Sequence, residues 1–296
     1  MSEGPLLSVF LGCRNDDYMS GSTHRLCVSL DSMAAAFESL GMLDALEILI
    51  CDWGSDVPLC ESGKMDLSDR ATRVTKFIVV PPDFARTHSS DSPWPEPLIR
   101  NTCIRRASGR YLVSSNGDIL FTPKLAIAVN EVLHLASESQ TAFDREPFLY
   151  CSRRDIPYEI ASQNLPAADF ATLVSDEDTT LAWVFEPVPP NLMGPIGDFQ
   201  LMARDRWMDM RGFDERLLYW GWMDIDLALR ATLCCTLLDL SEVGAEMYHL
   251  EHYPAGDRTT TRRTNPQVRN PYRVNLGNPD WGFDSQDFPI VSVRLA

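Results

Sequence analysis

The first half of the chain alternates short apolar runs with helix-like stretches, and that alternation leaves few architectures open. The runs near 6–12, 45–51, 76–80 and 110–115 have the length and composition of strands, and the stretches near 22–40 and 96–107 have helical patterning. The pattern predicts an α/β fold with a mixed, mainly parallel central sheet flanked by helices on both faces. Pro123 suits the first turn of a further helix to about 136. Pro81, Pro82, Pro93, Pro95 and Pro97 predict a loop over 81–97. Residues 153–195 look less regular, and a stretch of that length in a compact domain is usually a functional cover. Residues 254–289 are polar and rich in Arg, Asn and Pro, and are expected to wrap the surface or close over a ligand.

Open α/β sheets bind ligands beyond the carboxyl ends of their strands. Arg14 and Asn15, Asp52, and Asn116 to Asp118 all follow expected strand ends, so the topology should gather them at one edge. Residues 220–230 add a Trp-Gly-Trp-Met-Asp-Ile-Asp run followed by apolar residues at helical spacing. A turn entering a helix fits this run, with Asp224 at the mouth, where the helix start favours negative charge. Asp224 then suits either a base in a cleft or a helix cap. Asp226 should point away and pair with Arg230 at i+4. Trp220 and Trp222 offer ring faces for a sugar, with core packing the alternative for at least one of them. Met247 to His252 reads as a strand carrying His249, with His252 a competing metal ligand whose odd offset demands a bend.

These elements, in this order, resemble the GT-A glycosyltransferases, above all the inverting family-2-like enzymes and the galactosyltransferase C-terminal module. The resemblance rests on the strand ending in Arg14-Asn15 and on the strand ending in Asp52. It rests also on Arg100-Asn101, Ala107-x-Gly109-x-Tyr111-Leu112 and the Asn116-Gly117-Asp118 counterpart of a DxD motif, on Trp220-Gly221-x-x-Asp224, and on a late histidine, His249. It covers roughly residues 6–255. It implies one GT-A domain over 1–296, with a nucleotide-binding half over about 1–122 and an acceptor-binding half with a C-terminal lid over about 123–296.

The resemblance also implies roles. Asp118 and His249 would hold Mn²⁺, or Mg²⁺; mixed oxygen and imidazole ligation favours Mn²⁺. Arg14, Asn15, Asp52, Arg100 and Asn116 would contact the nucleotide, with Asp52 accepting the imino proton of a uracil. Asp224 would be the general base, and Asp198, Trp220 and Trp222 would contact sugar. Asn116 departs from the family by bringing no charge to the first position of its motif. The implied activity is metal-dependent, inverting transfer from a UDP-sugar to a hydroxyl of a glycan or other acceptor. A retaining transferase on the same scaffold, or a nucleotide-sugar-binding protein without turnover, stays open.

Composition narrows the partners. The formal charge of −16, from 42 acidic and 26 basic residues, argues against nucleic acid, which needs a positive footprint. A local basic pocket for a small anion remains available in Arg258, Arg262, Arg263, Arg269 and Arg273. No run is long enough for a transmembrane segment, and the start lacks the parts of a signal peptide, so a cytoplasmic protein is expected. The eight cysteines include no Cys-x-x-Cys pair and several lie in apolar runs, which suits buried thiols in a reducing compartment. The histidine spacing is not that of a zinc peptidase, and no glycine-rich phosphate loop follows the first strand.

Overall fold

Neighbouring residues of the central strands pack into two different cores. In the computed structural model, which describes residues 4–138, 145–167, 179–181, 197–253, 263–265 and 274–293, β1 spans Leu7–Cys13. Its Leu7, Val9, Leu11 and Cys13 enter one apolar core and Phe10 enters the other. The same parity holds in β2 (Leu46–Trp53), where Leu46, Ile48 and Ile50 face one way and Leu49, Cys51 and Trp53 the other. A strand apolar on both faces must be covered on both faces.

The cover comes from helices. After α1 (Ser22–Glu38), the chain runs through α2 (Asp69–Val74), β3 (Thr75–Val80), α3 (Pro82–His88), α4 (Glu96–Arg106), β4 (Tyr111–Ser114), β5 (Ile119–Phe121) and α5 (Pro123–Glu138). It continues through β6 (Glu146–Tyr150), β7 (Arg153–Ile156), α6 (Tyr158–Ala161), β8 (Thr180–Leu181), β9 (Gln200–Ala203) and α7 (Arg204–Asp209). The last described elements are α8 (Met223–Ala231), β10 (Cys235–Asp239), β11 (Met247–Leu250) and β12 (Ile290–Ser292). Leu30 and Met33 of α1 and Val129 of α5 fill the first core. Ile99 and Cys103 of α4, Trp207 of α7 and Leu227 of α8 fill the second.

The large sheet has eight strands in the order β10-β6-β9-β4-β1-β2-β3-β12. Its centre is parallel, through β4-β1, β1-β2 and β2-β3, while β9 runs antiparallel to β4 and β6. The expected mixed, mainly parallel sheet with helices on both faces is present. The reversal of β9 has a geometric consequence, because Gln200 pairs with Ser114 and brings the start of β9 beside the end of β4. Residues 197 and 198 therefore meet residues 115–118 at one edge.

The sequence did not announce the second sheet, ordered β5-β11-β7-β8, whose strands are two to four residues long. Two expected loops also hold structure. Pro82 opens α3 inside 81–97, with Pro82 supplying the first-turn geometry. The start of 153–195 holds β7 and α6.

At the opposite end of the sheet from that edge, Glu47 is buried and accepts bonds from Ser8 Oγ (2.6 Å), the Ser108 amide (2.9 Å) and Ser108 Oγ (2.9 Å). The Gly109 amide donates to Ser8 Oγ at 2.8 Å. This knot joins the starts of β1, β2 and β4 and leaves no room at position 109, where a Cβ would stand 2.5 Å from the Ser8 amide nitrogen. Gly109→Ala is therefore expected to cost about 1–3 kcal/mol, as overpacking does. Urea unfolding checks this, and a midpoint equal to the parent's would show that the knot yields freely.

Candidate active site and metal centre

Strand register builds one end of the site. In the small sheet β11 lies between β5 and β7, and His249 pairs with Ile119 on one side and with Asp155 on the other. Asp118 immediately precedes β5, and its carbonyl accepts the Leu250 amide at 2.9 Å. His249 Nε2 thus faces Asp118 Oδ2 at 3.5 Å, while its Nδ1 lies 2.9 Å from Asp155 Oδ1. Asp155 fixes the ring so that Nε2 points at Asp118, the usual way a carboxylate orients a metal-binding imidazole.

His252 joins the same group, its Nδ1 3.4 Å from Asp118 Oδ2. The bend that the odd offset required is supplied by the sequence itself. Strand β11 ends at Leu250, and the Glu251 carboxylate turns back to accept the amides of His252 (3.0 Å) and Tyr253 (3.1 Å). Asp118, His249 and His252 present ligand atoms that all lie within 4.8 Å of one another. Asp118 Oδ1 is buried without a hydrogen-bond partner, which suits an atom intended for an ion. One carboxylate and two imidazoles fit Mn²⁺ better than Mg²⁺. Burial works against the charged forms here, but the two groups hold each other ionised. Asp118 stays well below the ordinary carboxylate range beside His249, and His249 is pushed up to about 9 beside Asp118. An ion would take the place of that proton.

A continuous polar chain leads away from this centre. Arg153 places Nε 3.0 Å from Asp155 and Nη1 2.8 Å from Asp198. Asn116 Nδ2 donates to Asp198 at 2.6 Å, and Asn116 Oδ1 accepts from Arg100 Nη2 at 2.6 Å. Asn116 therefore needs both an acceptor and a donor, which an amide has and a carboxylate lacks. A carboxylate at 116 could not donate to Asp198. Arg100 is only 2% exposed and also binds Glu96 (2.9 Å), Ser114 and the Gly197 carbonyl (3.1 Å). These four partners make Arg100 an internal brace between α4, β4 and the start of β9.

Asp224 lies at the far end of the chain. Gly221 and Trp222 both take left-handed backbone conformations, at φ 77° and 68°, and this turns the chain into α8. For tryptophan that conformation is uncommon and strained. It sets Asp224 in the first helical turn, packed against Gly197, where any Cβ would run into its carboxylate. Asp224 Oδ1 is buried with no hydrogen-bond partner. Burial raises its pKa to about 7 against the pull of Arg100, and the nearby Glu96 and Asp198 push the same way as burial. Asp226 faces away and binds Arg230 at 2.9 Å, as the i+4 spacing suggested.

The other sequence candidates fall in four groups. Arg14 lies at the sheet edge, bound to Asp16 (2.6 Å) and the Pro93 carbonyl (2.8 Å), and Asn15 binds the Val57 carbonyl (3.0 Å) and Lys64 (2.7 Å). Asp52 closes the end of β2. It is buried, and its oxygens accept Ser55 Oγ and the Leu59 amide (2.6 Å), so it holds the turn after β2. Trp220 is 57% exposed, in keeping with a ring face open to a ligand, whereas Trp222 is half-buried. Of the candidate basic lid, Arg263 stacks on Tyr219 and pairs with Asp91 (2.5 Å), while Arg258, Arg262, Arg269 and Arg273 lie outside the described residues. A groove of about 500 Å³ along α1, between Asp17, His24, Lys64 and Pro166, contains none of the expected site residues.

Sequence reasoning missed Arg153 and Asp155. The signal available was their two-residue spacing, which puts both on one face of a short strand. It missed Glu96 as well, whose i+4 relation to Arg100 was open to view.

No protein-family model matches the chain, and no curated protein matches it by sequence. Among solved structures it is similar to the catalytic domain of Drosophila beta1,4-galactosyltransferase 7 in complex with xylobiose. That likeness has a TM-score of 0.46 at 10% identity, over 89% of this chain and 76% of that one. It is similar to S. aureus TarS, at 0.47 and 14%, over 82% of this chain and 60% of that one. A mutant of the Drosophila enzyme in complex with manganese, UDP-Gal and xylobiose gives 0.41 and 12%, over 90% and 72%.

Removal of ligand atoms should separate the three donors from their surroundings. Asp118→Ala is expected to abolish Mn²⁺ binding, and His252→Ala to weaken it by roughly tenfold or more. Calorimetric titration measures both, and unchanged affinity in His252→Ala would remove His252 from the ligand set.

Proposed function

We propose that this protein is a metal-dependent glycosyltransferase that moves a sugar from a nucleoside-diphosphate donor, UDP-sugar favoured, to an acceptor hydroxyl with inversion. The observation that carries the reading is the joining of a three-donor ion site to a partly buried carboxylate held near neutrality, at the carboxyl edge of a doubly wound sheet. Transfer needs those two functions together: charge stabilisation on the leaving side and a proton acceptor on the attacking side.

Asp118, His249 and His252 would hold the divalent ion, which when bound neutralises charge developing on the departing diphosphate. Asp224 takes the acceptor hydroxyl's proton as that oxygen bonds the anomeric carbon and the bond to the diphosphate oxygen breaks. A carboxylate with a pKa of about 7 is half ionised at neutral pH, close to the best match for a base working there. Arg100 keeps Asp224 ionisable, since burial beside Glu96 and Asp198 alone would hold the proton on. Trp220 supplies an exposed ring face to the sugar or acceptor. Arg14 and Asn15 suit the nucleotide end. Among the described residues no helix is long and apolar enough to cross a membrane. Eight free thiols, most of them buried, favour a reducing compartment such as the cytoplasm.

Asp224→Asn is expected to leave donor affinity near the parent's and to lower transfer by about 10²–10⁴-fold. If donor binding falls instead and residual turnover is normal, Asp224 is a positional group. In the parent, transfer should fall about tenfold per pH unit below about 7, because protonated Asp224 accepts nothing. A pH profile flat from 5 to 8 would remove it as the base. Anomeric analysis of the product by NMR decides inversion.

A further inference from the structure

The geometry points to a second metal site, independent of the transferase reading, in which Met210, Cys234 and Cys235 take a soft monovalent ion, Cu⁺ above all. All three side chains border the second core. Successive residues of a regular strand face opposite ways, yet these two thiols lie 3.7 Å apart. Cys234 closes the turn from α8 into β10, with its amide on the Ala231 carbonyl at 3.0 Å, and Cys235 is the first residue of the strand. Cys234 Sγ also touches Met210 Sδ at 3.9 Å. With metal–sulfur bonds of about 2.3 Å, these two spacings correspond to angles of about 107° and 116° at a common ion, between tetrahedral and trigonal. Both cysteines are free, and 3.7 Å is far longer than a disulfide bond of about 2.05 Å.

The backbone holds these donors in place before any ion arrives. Arg230 donates to the carbonyls of Met210 (2.9 Å) and Gly212 (2.8 Å), and the Met210 amide bonds the Arg206 carbonyl at 3.0 Å. Cys235 pairs with Glu146 of β6. Cys235 is buried, whereas Cys234 and Met210 are half-buried and leave an ion a way in. The donor set selects the ion. Two thiolates and a thioether are soft ligands that suit Cu⁺, while Zn²⁺ favours sites built from thiolate, imidazole and carboxylate. Each thiol gives up its proton as its sulfur bonds the ion, and the thioether gives up none. Binding therefore releases two protons and leaves a singly negative complex, which the Arg206 guanidinium near Cys235 favours.

Anaerobic competition for Cu⁺ between the full chain and the chromophoric chelator bathocuproine disulfonate tests the site. The parent should hold one equivalent of Cu⁺ against the chelator. Combining Cys234→Ser with Cys235→Ser leaves six of the eight thiols and should remove that equivalent. Partners of metal ligands typically change affinity by about 10–100-fold, so loss of both thiolates should cost about a hundredfold or more, and Met210→Leu about tenfold. X-ray absorption at the copper edge should count three sulfur neighbours in the parent and two in Met210→Leu. A parent that yields all its Cu⁺ to the chelator overturns the assignment, as does a double variant that binds as tightly as the parent. A third sulfur neighbour that persists in Met210→Leu overturns the three-donor site, and displacement of bound Cu⁺ by Zn²⁺ overturns the choice of ion. Should the double variant fail to fold, Cys234→Ser alone, at its half-buried position, decides together with Met210→Leu.

Discussion

A guanidinium buried beneath a sheet must find partners for its donors or unfold the region around it, and Arg100 is such a group. A charge taken out of water costs several kcal/mol unless it is paired with good geometry. Here the pairing draws on four places in the chain: Glu96 one turn back on α4, Ser114 at the end of β4, Asn116 in the following turn, and the Gly197 carbonyl before β9. Helix, two antiparallel strands and the motif turn are thereby fixed to one another at a single point. The remainder of the site follows from that point in both directions. Towards Asp224, Arg100 is the cation that keeps a buried carboxylate ionisable. Towards the ion site, Asn116 passes the constraint to Asp198 and Arg153.

Much of this was legible in the chain before any coordinates. Strand ends could be placed because β1, β2 and β4 are apolar on both faces and are each followed by polar turns. The helix after Trp222 could be placed because its apolar spacing and its acidic first turn agree. The Asp226–Arg230 pair followed from helical geometry alone. In each case a local rule and the final packing point the same way.

What was hidden depends on contacts distant in sequence. Arg100 looks like a ligand-facing cation on a basic helix, and nothing nearby in sequence reveals that Asn116 and Gly197 close over it. Asp52 ends its strand where a base-binding aspartate would sit, yet the amide of Leu59 comes back to claim it. His252 shows how a local rule can mislead. Strand parity assigned it to the opposite face, but the parity argument holds only while the strand lasts, and Glu251 ends it by binding the next two amides. Apart from β11, the strands of the small sheet went unread for a related reason: segments of two to four residues carry no measurable period.

Asn265 gives the tryptophan turn a dependence that its own sequence conceals. The side-chain amide donates to the carbonyls of Leu217 (3.2 Å), Tyr219 (2.5 Å) and Gly221 (2.7 Å), and accepts the Tyr219 amide at 2.9 Å. A strained left-handed Trp222 is thus secured from more than forty positions downstream. Asn265 itself reaches no core, whereas Trp281 and Phe288 farther along are packed into the second one. One amide side chain therefore governs the shape of the turn that carries Asp224, and the hold on that turn is separate from the apolar packing that closes the sheet.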